Sequence, residues 1–249
     1  MLKLLYSGME EVFMDRVINP AEPFVEPGDV SYFAYLVLLI LCFYVIYRMR
    51  SGISGNAQKV LFVFLIISIG QRILINTWYL INDDYSLAYS LPFQICRVVI
   101  WLIIIQYFVR KDFLNQAIFY MGLFAYAAFI YPVGIHPVWH MAGWAFFILH
   151  AANVLFPFAM HYAVGFVPSL KGVFQAYLIF VAYFFFVYFL NPVVGGNYFF
   201  IDNRPFFHDM GEGMYVTVNL AGTLLGFLAV YIFIRTFIHI RRKLAVPGS

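Results

Sequence analysis

Charge is scarce in this sequence: Asp, Glu, Lys and Arg make up only 11% of its 249 residues, against 64% hydrophobic and 21% aromatic. That much apolar side chain cannot be buried in a soluble domain of this length, which excludes a soluble globular protein and predicts a membrane protein. Cysteine is scarcer still. Cys42 and Cys96 both stand in apolar runs, which argues against a secretory disulfide framework. Linkers, low-complexity tracts and internal repeats are missing too, so one domain is expected. The first 29 residues lack a secretory h-region, because Gly8, Glu10 and Glu11 interrupt Leu4-Leu5-Tyr6 at once.

What is present is long hydrophobic runs. Seven stretches of roughly 18 to 28 residues are long enough to cross a ~30 Å hydrocarbon core as helices. They fall near Val30–Tyr47, Val60–Ile81, Leu87–Val109, Phe113–Tyr131, Gly143–Phe166, Gly172–Leu190 and Met214–Ile240. The expected fold is therefore an all-α, polytopic transmembrane helix bundle with seven spans, covering residues 30–243. Residues 1–29 form an extracytoplasmic leader, in which Leu2, Leu5, Met9, Phe13 and Ile18 suit one face of an amphipathic helix. Residues 244–249 are a tail. Cytoplasmic loops carry the excess of Lys and Arg. Arg48, Arg50 and Lys59, then Arg110 and Lys111, then Lys171, then Arg241-Arg242-Lys243 alternate to one side, which predicts an outside amino terminus and a cytoplasmic carboxyl terminus.

Polar groups inside hydrocarbon are expensive, so those in the spans are the informative residues. They include Arg72 with Gln71 and Asn76, Cys96 and Arg97 with Gln94, His150 with Asn153, and Asn219. No carboxylate lies deep in any span. Arg72 and Arg97 therefore need either backbone carbonyls and side-chain amides or an anionic ligand such as a lipid phosphate. At about 1.5 Å per residue, Arg72, Cys96, Arg97 and His150 form one layer in the outer half of the membrane. Pro92, just above Cys96, favours a water-accessible cavity there. A lone cysteine in such a run is usually packing, and a lone histidine usually closes a helix–helix hydrogen bond. A neighbouring cation and a histidine base are what would turn that thiol into a nucleophile.

Three pieces of sequence carry a resemblance: Leu91-Pro92-Phe93-Gln94-Ile95-Cys96, the histidine His150, and the loop from Asn197-Tyr198 through Arg204-Pro205. In order and spacing the chain resembles the YwaF-like family of polytopic membrane proteins, with Arg204 where the family has lysine and Gln94 where it has histidine or glutamine. Its relatives include a mammalian acyltransferase that moves a fatty acyl chain from a phospholipid to an ether lysophospholipid through a cysteine and a histidine. More distant relatives hydrolyse lipid esters with a threonine and a histidine. The resemblance implies acyl transfer or ester hydrolysis on outer-leaflet glycerophospholipids, with Cys96 as nucleophile and His150 as general base. Arg72 or Arg97 would hold phosphate. Gln94, Asn153 or Tyr198 would face the oxyanion, and Asn197, Tyr198 and Arg204 belong to a loop over the mouth.

Neither metal nor diffusible cofactor is expected, since the histidines lack zinc-ligand spacing on any one helix. The expected partner is a membrane phospholipid or lysophospholipid, not nucleic acid, in a cell membrane that is bacterial by this reading; the sequence carries no mark of oligomeric state. A retinal photoreceptor would need a lysine in the last span, and there is none. Haem would want histidines on two helices, whereas His150 and His161 share one span. A non-enzymatic lipid or anion transporter using Arg72 and Arg97 is the competing reading.

Overall fold

The computed structural model describes residues 16–204 and 207–245, which form helices and turns with no strand among them. In hydrocarbon each backbone N–H and C=O must be satisfied locally, and the helix does this within one segment. The bundle consists of α1 (Val30–Ile53), α2 (Ala57–Ile81), α3 (Ile95–Val109), α4 (Asp112–Gly122), α5 (Phe124–Ile130), α6 (Met141–Val164), α7 (Leu170–Val194) and α8 (Glu212–Ala245). A 3-10 turn at Tyr198–Phe200 lies between the last two. Six segments are long and apolar enough to cross a membrane: α1, α2, α4 with α5, α6, α7 and α8. The chain is a multi-pass membrane protein.

The expected third span, Leu87–Val109, is only partly helical. α3 begins at Ile95 and has 15 residues. Pro92 has no N–H to give and pushes Leu91 out of the helical region, so the chain above Ile95 stays in turns. Its polar groups find partners elsewhere: Leu91 N–H donates to the Tyr198 hydroxyl at 3.1 Å, and the Tyr183 hydroxyl donates to Phe93 O at 2.8 Å. The fourth span, expected unbroken over Phe113–Tyr131, is interrupted at Leu123 between α4 and α5. Gly122 sits at that break, where a Cβ would stand 3.1 Å from Asn153 O, a contact tighter than most, so glycine favours this approach of α4 to α6. The sixth span continues through Pro192 to Val194 and closes on Gly195, whose φ of 62° favours glycine. The first also outruns its expected end, passing Gly52 to reach Ile53. In the leader, Leu2, Leu5, Met9 and Phe13 lie outside the described residues, as do Pro205 of the last loop and residues 246–249 of the tail.

α6 is the centre of the bundle and packs against α1, α2, α3, α4 and α5. α7 packs on α4, and α8 on α7. Ile100 and Ile103 of α3, Phe156 of α6 and Phe180 and Phe184 of α7 are fully buried, while Ile73, Leu225 and Phe233 face outward. That division fits a bundle whose outer surface meets hydrocarbon rather than water. The start of α6 is fixed by His140, whose Nδ1 accepts from Ala142 N–H at 3.1 Å. Gly143 follows, pressed against Pro137 O, His136 O and the Tyr35 hydroxyl so closely that a Cβ has no room.

Candidate active site

Because α3 starts at Ile95, Cys96 lies in its first turn. Arg97 N–H and Val98 N–H turn back to Gln94 O at 2.8 and 3.0 Å. The N–H groups of Ile95 and Cys96 precede any acceptor within the helix, so this end presents free donors and positive dipole beside the thiol. Cys96 is buried, and it lines a cavity of about 630 Å³ bounded by α2, α3, α5, α6 and Phe199–Phe200. His150 lines the same cavity from α6. Its Nδ1 stands 2.8 Å from Phe146 O. A carbonyl only accepts, so Nδ1 carries the proton and Nε2 is left with a bare lone pair.

The remaining expected residues divide sharply. Gln94 lines the cavity while its side chain stitches the last loop to α3, donating to Asn197 O at 3.4 Å and accepting from Phe199 N–H at 3.2 Å. Arg97 also lines the cavity, but its guanidinium does not wait for an anion. It donates to Tyr89 O at 2.5 Å, Leu91 O at 3.1 Å and the Tyr79 hydroxyl at 2.8 Å. Arg97 thus holds down the irregular segment that precedes Cys96. Arg72 is the opposite case. It is buried behind Gln71 rather than lining the cavity, and its Nε and Nη1 find no acceptor; Ser68 Oγ, four residues before it, and Oε1 of the adjacent Gln71 are likewise without partners.

Asn153 does not face the cavity as an oxyanion donor. It spends its Nδ2–H on Cys96 O at 2.9 Å and lines a separate cavity. Tyr198 is fully buried and serves the backbone: its hydroxyl donates to Leu87 O at 2.7 Å and accepts from Leu91 N–H. Burial raises the Tyr198 phenol above its ordinary value, so it stays protonated as that donor. Asn197 folds its own loop by accepting from Asp202 and Asn203 N–H at 3.0 and 3.1 Å. Arg204 stacks over Tyr215 at 4.0 Å and donates to Ile201 O and Met210 O. The loop therefore borders the cavity through Phe199 and Phe200 rather than through the residues named for it.

Sequence reasoning passed over His136 and His140, whose rings stack with centroids 4.0 Å apart beside Trp78. Histidines four apart across Pro137, just before an apolar run, were the available signal. His140 Nδ1 is occupied by Ala142 N–H, so its Nε2 carries the proton toward Asn19 O at 3.2 Å. With Trp78 Nε1 donating to Ile18 O at 2.8 Å and Val25 N–H to Ile135 O at 2.7 Å, residues 18–25 are strapped to α2 and to the 131–140 loop. Phe24 and His136 line the cavity beneath. Burial and then His140 lower His136 to about 4, and burial lowers His140 as well, so both rings are neutral at neutral pH.

Among the described residues no cluster of three His, Cys, Asp or Glu could hold a metal. No curated protein and no solved structure matches the chain significantly. A family model does match, over residues 25–238, which takes in the six membrane-length segments except the last three residues of the sixth, and every residue lining the Cys96 cavity except Phe24. The chain belongs to the TMEM164 family of transmembrane proteins.

Proposed function

We propose that this protein is a membrane-embedded, thiol-dependent acyltransferase or lipid ester hydrolase acting on glycerophospholipids. One observation carries the reading: Cys96, at a helix start with free N–H donors, and His150, with a bare Nε2, line the same cavity. The Cys96 proton passes to His150 Nε2, and sulfur bonds to the carbonyl carbon of the lipid ester. The carbonyl oxygen that gains charge is met by the first-turn N–H groups of Ile95 and Cys96, the kind of preorganised donor pair that stabilises oxyanions. The ester C–O bond then breaks, and His150 returns the proton to the departing lipid oxygen. An acyl-thioester remains on Cys96, to be passed to a lyso-acceptor or to water. The YwaF-like pattern of Leu91–Cys96, His150 and the Asn197–Arg204 loop supports the same chemistry.

The reading places the cavity on the extracytoplasmic side of a cell membrane, with seven spans counting α3 as a short third one. Arg72, rather than Arg97, is the residue for lipid phosphate, since its Nε and Nη1 lack partners. Those same two unpartnered nitrogens favour the second reading, a lipid or anion transporter. Incubation with an activated fatty-acyl ester followed by intact-mass analysis separates the two. Acyl transfer requires one adduct, absent from Cys96→Ala; a transporter gives none.

A further inference from the structure

A second cavity, of about 590 Å³, lies between α6, the α4–α5 junction and α8, and the chemistry above leaves it idle. Its walls are largely hydrocarbon, among them Leu123, Val154, Phe158, Ile234 and Ile238. Tyr126, His161 and Arg241 interrupt them, and Asn153 is the polar group at the end nearest Cys96. Asn153 is 1% exposed, and its Oδ1 has no donor. The same amide bonds to Cys96 O and stands against the Cys96 thiol, so the two cavities lie back to back, with Cys96 lining one and Asn153 the other. Pro157, four residues on, cannot give the N–H that Asn153 O would receive in an unbroken helix. The junction is thus short of donors, while the space beyond it is largely apolar until His161 and Arg241.

A buried acceptor calls for a hydroxyl or an N–H, and apolar walls call for hydrocarbon. Water alone answers only the first demand, at ~30 Å³ per molecule in a space many times larger. A lipid alcohol answers both. We propose that the Asn153 cavity seats the hydrocarbon chain of a lysoglycerolipid acyl acceptor, whose free hydroxyl donates to Asn153 Oδ1 while its headgroup lies in the Cys96 cavity. This rests on the reading of Cys96 as the acyl carrier. The hydroxyl oxygen bonds to the thioester carbonyl carbon and the C–S bond breaks. The hydroxyl proton passes to His150 Nε2 and then to the Cys96 sulfur, regenerating the thiol. From Asn153 to His161 the α6 wall rises about 12 Å, so the cavity also measures chain length.

Ile234→Trp and Ile238→Trp fill this cavity from α8 without touching Cys96 or His150; Leu225→Trp, exposed elsewhere on α8, is the control. With one fixed acyl donor, all three should form the Cys96 adduct as the wild type does. Turnover with long-chain lysophospholipid should fall about tenfold or more in the two filled variants, and short-chain acceptors should stay within about twofold. Equal losses at every chain length, or none, overturn the proposal. A second measurement stands apart from catalysis: in a Cys96→Ala background, native mass spectrometry should show long-chain lysophospholipid retained with the cavity open and lost with Ile238→Trp. Equal retention overturns the chain seat. Absence of any adduct in the wild type would instead remove the catalytic reading, and the acceptor role with it.

Discussion

Arg72 and Arg97 should respond to removal in opposite directions. Arg97→Leu removes three hydrogen bonds from a charged donor, to Tyr89 O, Leu91 O and the Tyr79 hydroxyl. Such bonds are each worth about 1.5–3 kcal/mol, but Arg97 is half-buried and water can replace part of the loss, so the net cost is about 2–3 kcal/mol. At roughly 2–4 °C per kcal/mol for a chain of this size, Tm should fall by roughly 5–10 °C. Arg72→Leu removes a buried guanidinium whose Nε and Nη1 are unpaired and which Arg97 repels. Replacing an uncompensated buried charge with an apolar group is neutral or stabilising, by up to about 1–4 kcal/mol. Melting in neutral detergent gives the first comparison, and repeating it with anionic lipid gives the second. The lipid should raise Tm in wild type and Arg97→Leu but not in Arg72→Leu. A fall in Arg72→Leu as large as in Arg97→Leu would refute the assignment of one arginine to structure and the other to ligand.

Topology is testable by single cysteines at Asn82 and Lys171, which should label from opposite sides of sealed vesicles; labelling from the same side would overturn both the orientation and the side of the cavity. The strap over the cavity should be sensitive to acid. His136 and His140, which face each other, Trp78 and the carbonyls of Glu22 and Asn19, take up a proton in the folded protein only below the ordinary 6.5, at about 4 for His136. Between those values the opened strap binds more protons than the closed one, so its stability is full above about pH 6.5 and is lost as pH falls toward about 4. Hydrogen exchange at Val25, whose N–H donates to Ile135 O, should lose protection across that window once intrinsic rates are divided out, and unchanged protection would contradict it.

Much of the bundle was legible because its signal is collective. Composition and run length each average over many residues, so ends misplaced by several residues at α1 and α7 leave those segments in place. Leu87–Gln94 misled for a local reason: its hydropathy is that of a span, but Pro92 breaks the helix and distant hydroxyls on Tyr183 and Tyr198 make irregular backbone tolerable. Cys96 and His150 could be placed in one layer because the rise per residue puts them at similar depth, and the resemblance then paired them. The individual jobs of Arg97, Asn153 and Arg204 could not be read, since which way a polar side chain turns depends on carbonyls brought from other elements. Arg97 next to Cys96 in sequence suggested a cation at the thiol; in the fold its guanidinium points back to the segment above.

The central claim is that Cys96 and His150 act as one nucleophile–base unit. Residual acyl transfer from a fluorescent phospholipid, measured for Cys96→Ala, His150→Ala and the double variant, tests it most directly. Groups acting as a unit give strongly non-additive losses, so the three variants should have nearly equal residual rates, with Cys42→Ala matching wild type. Full acyl transfer by a normally folded Cys96→Ala protein would contradict the account and return the cysteine to packing.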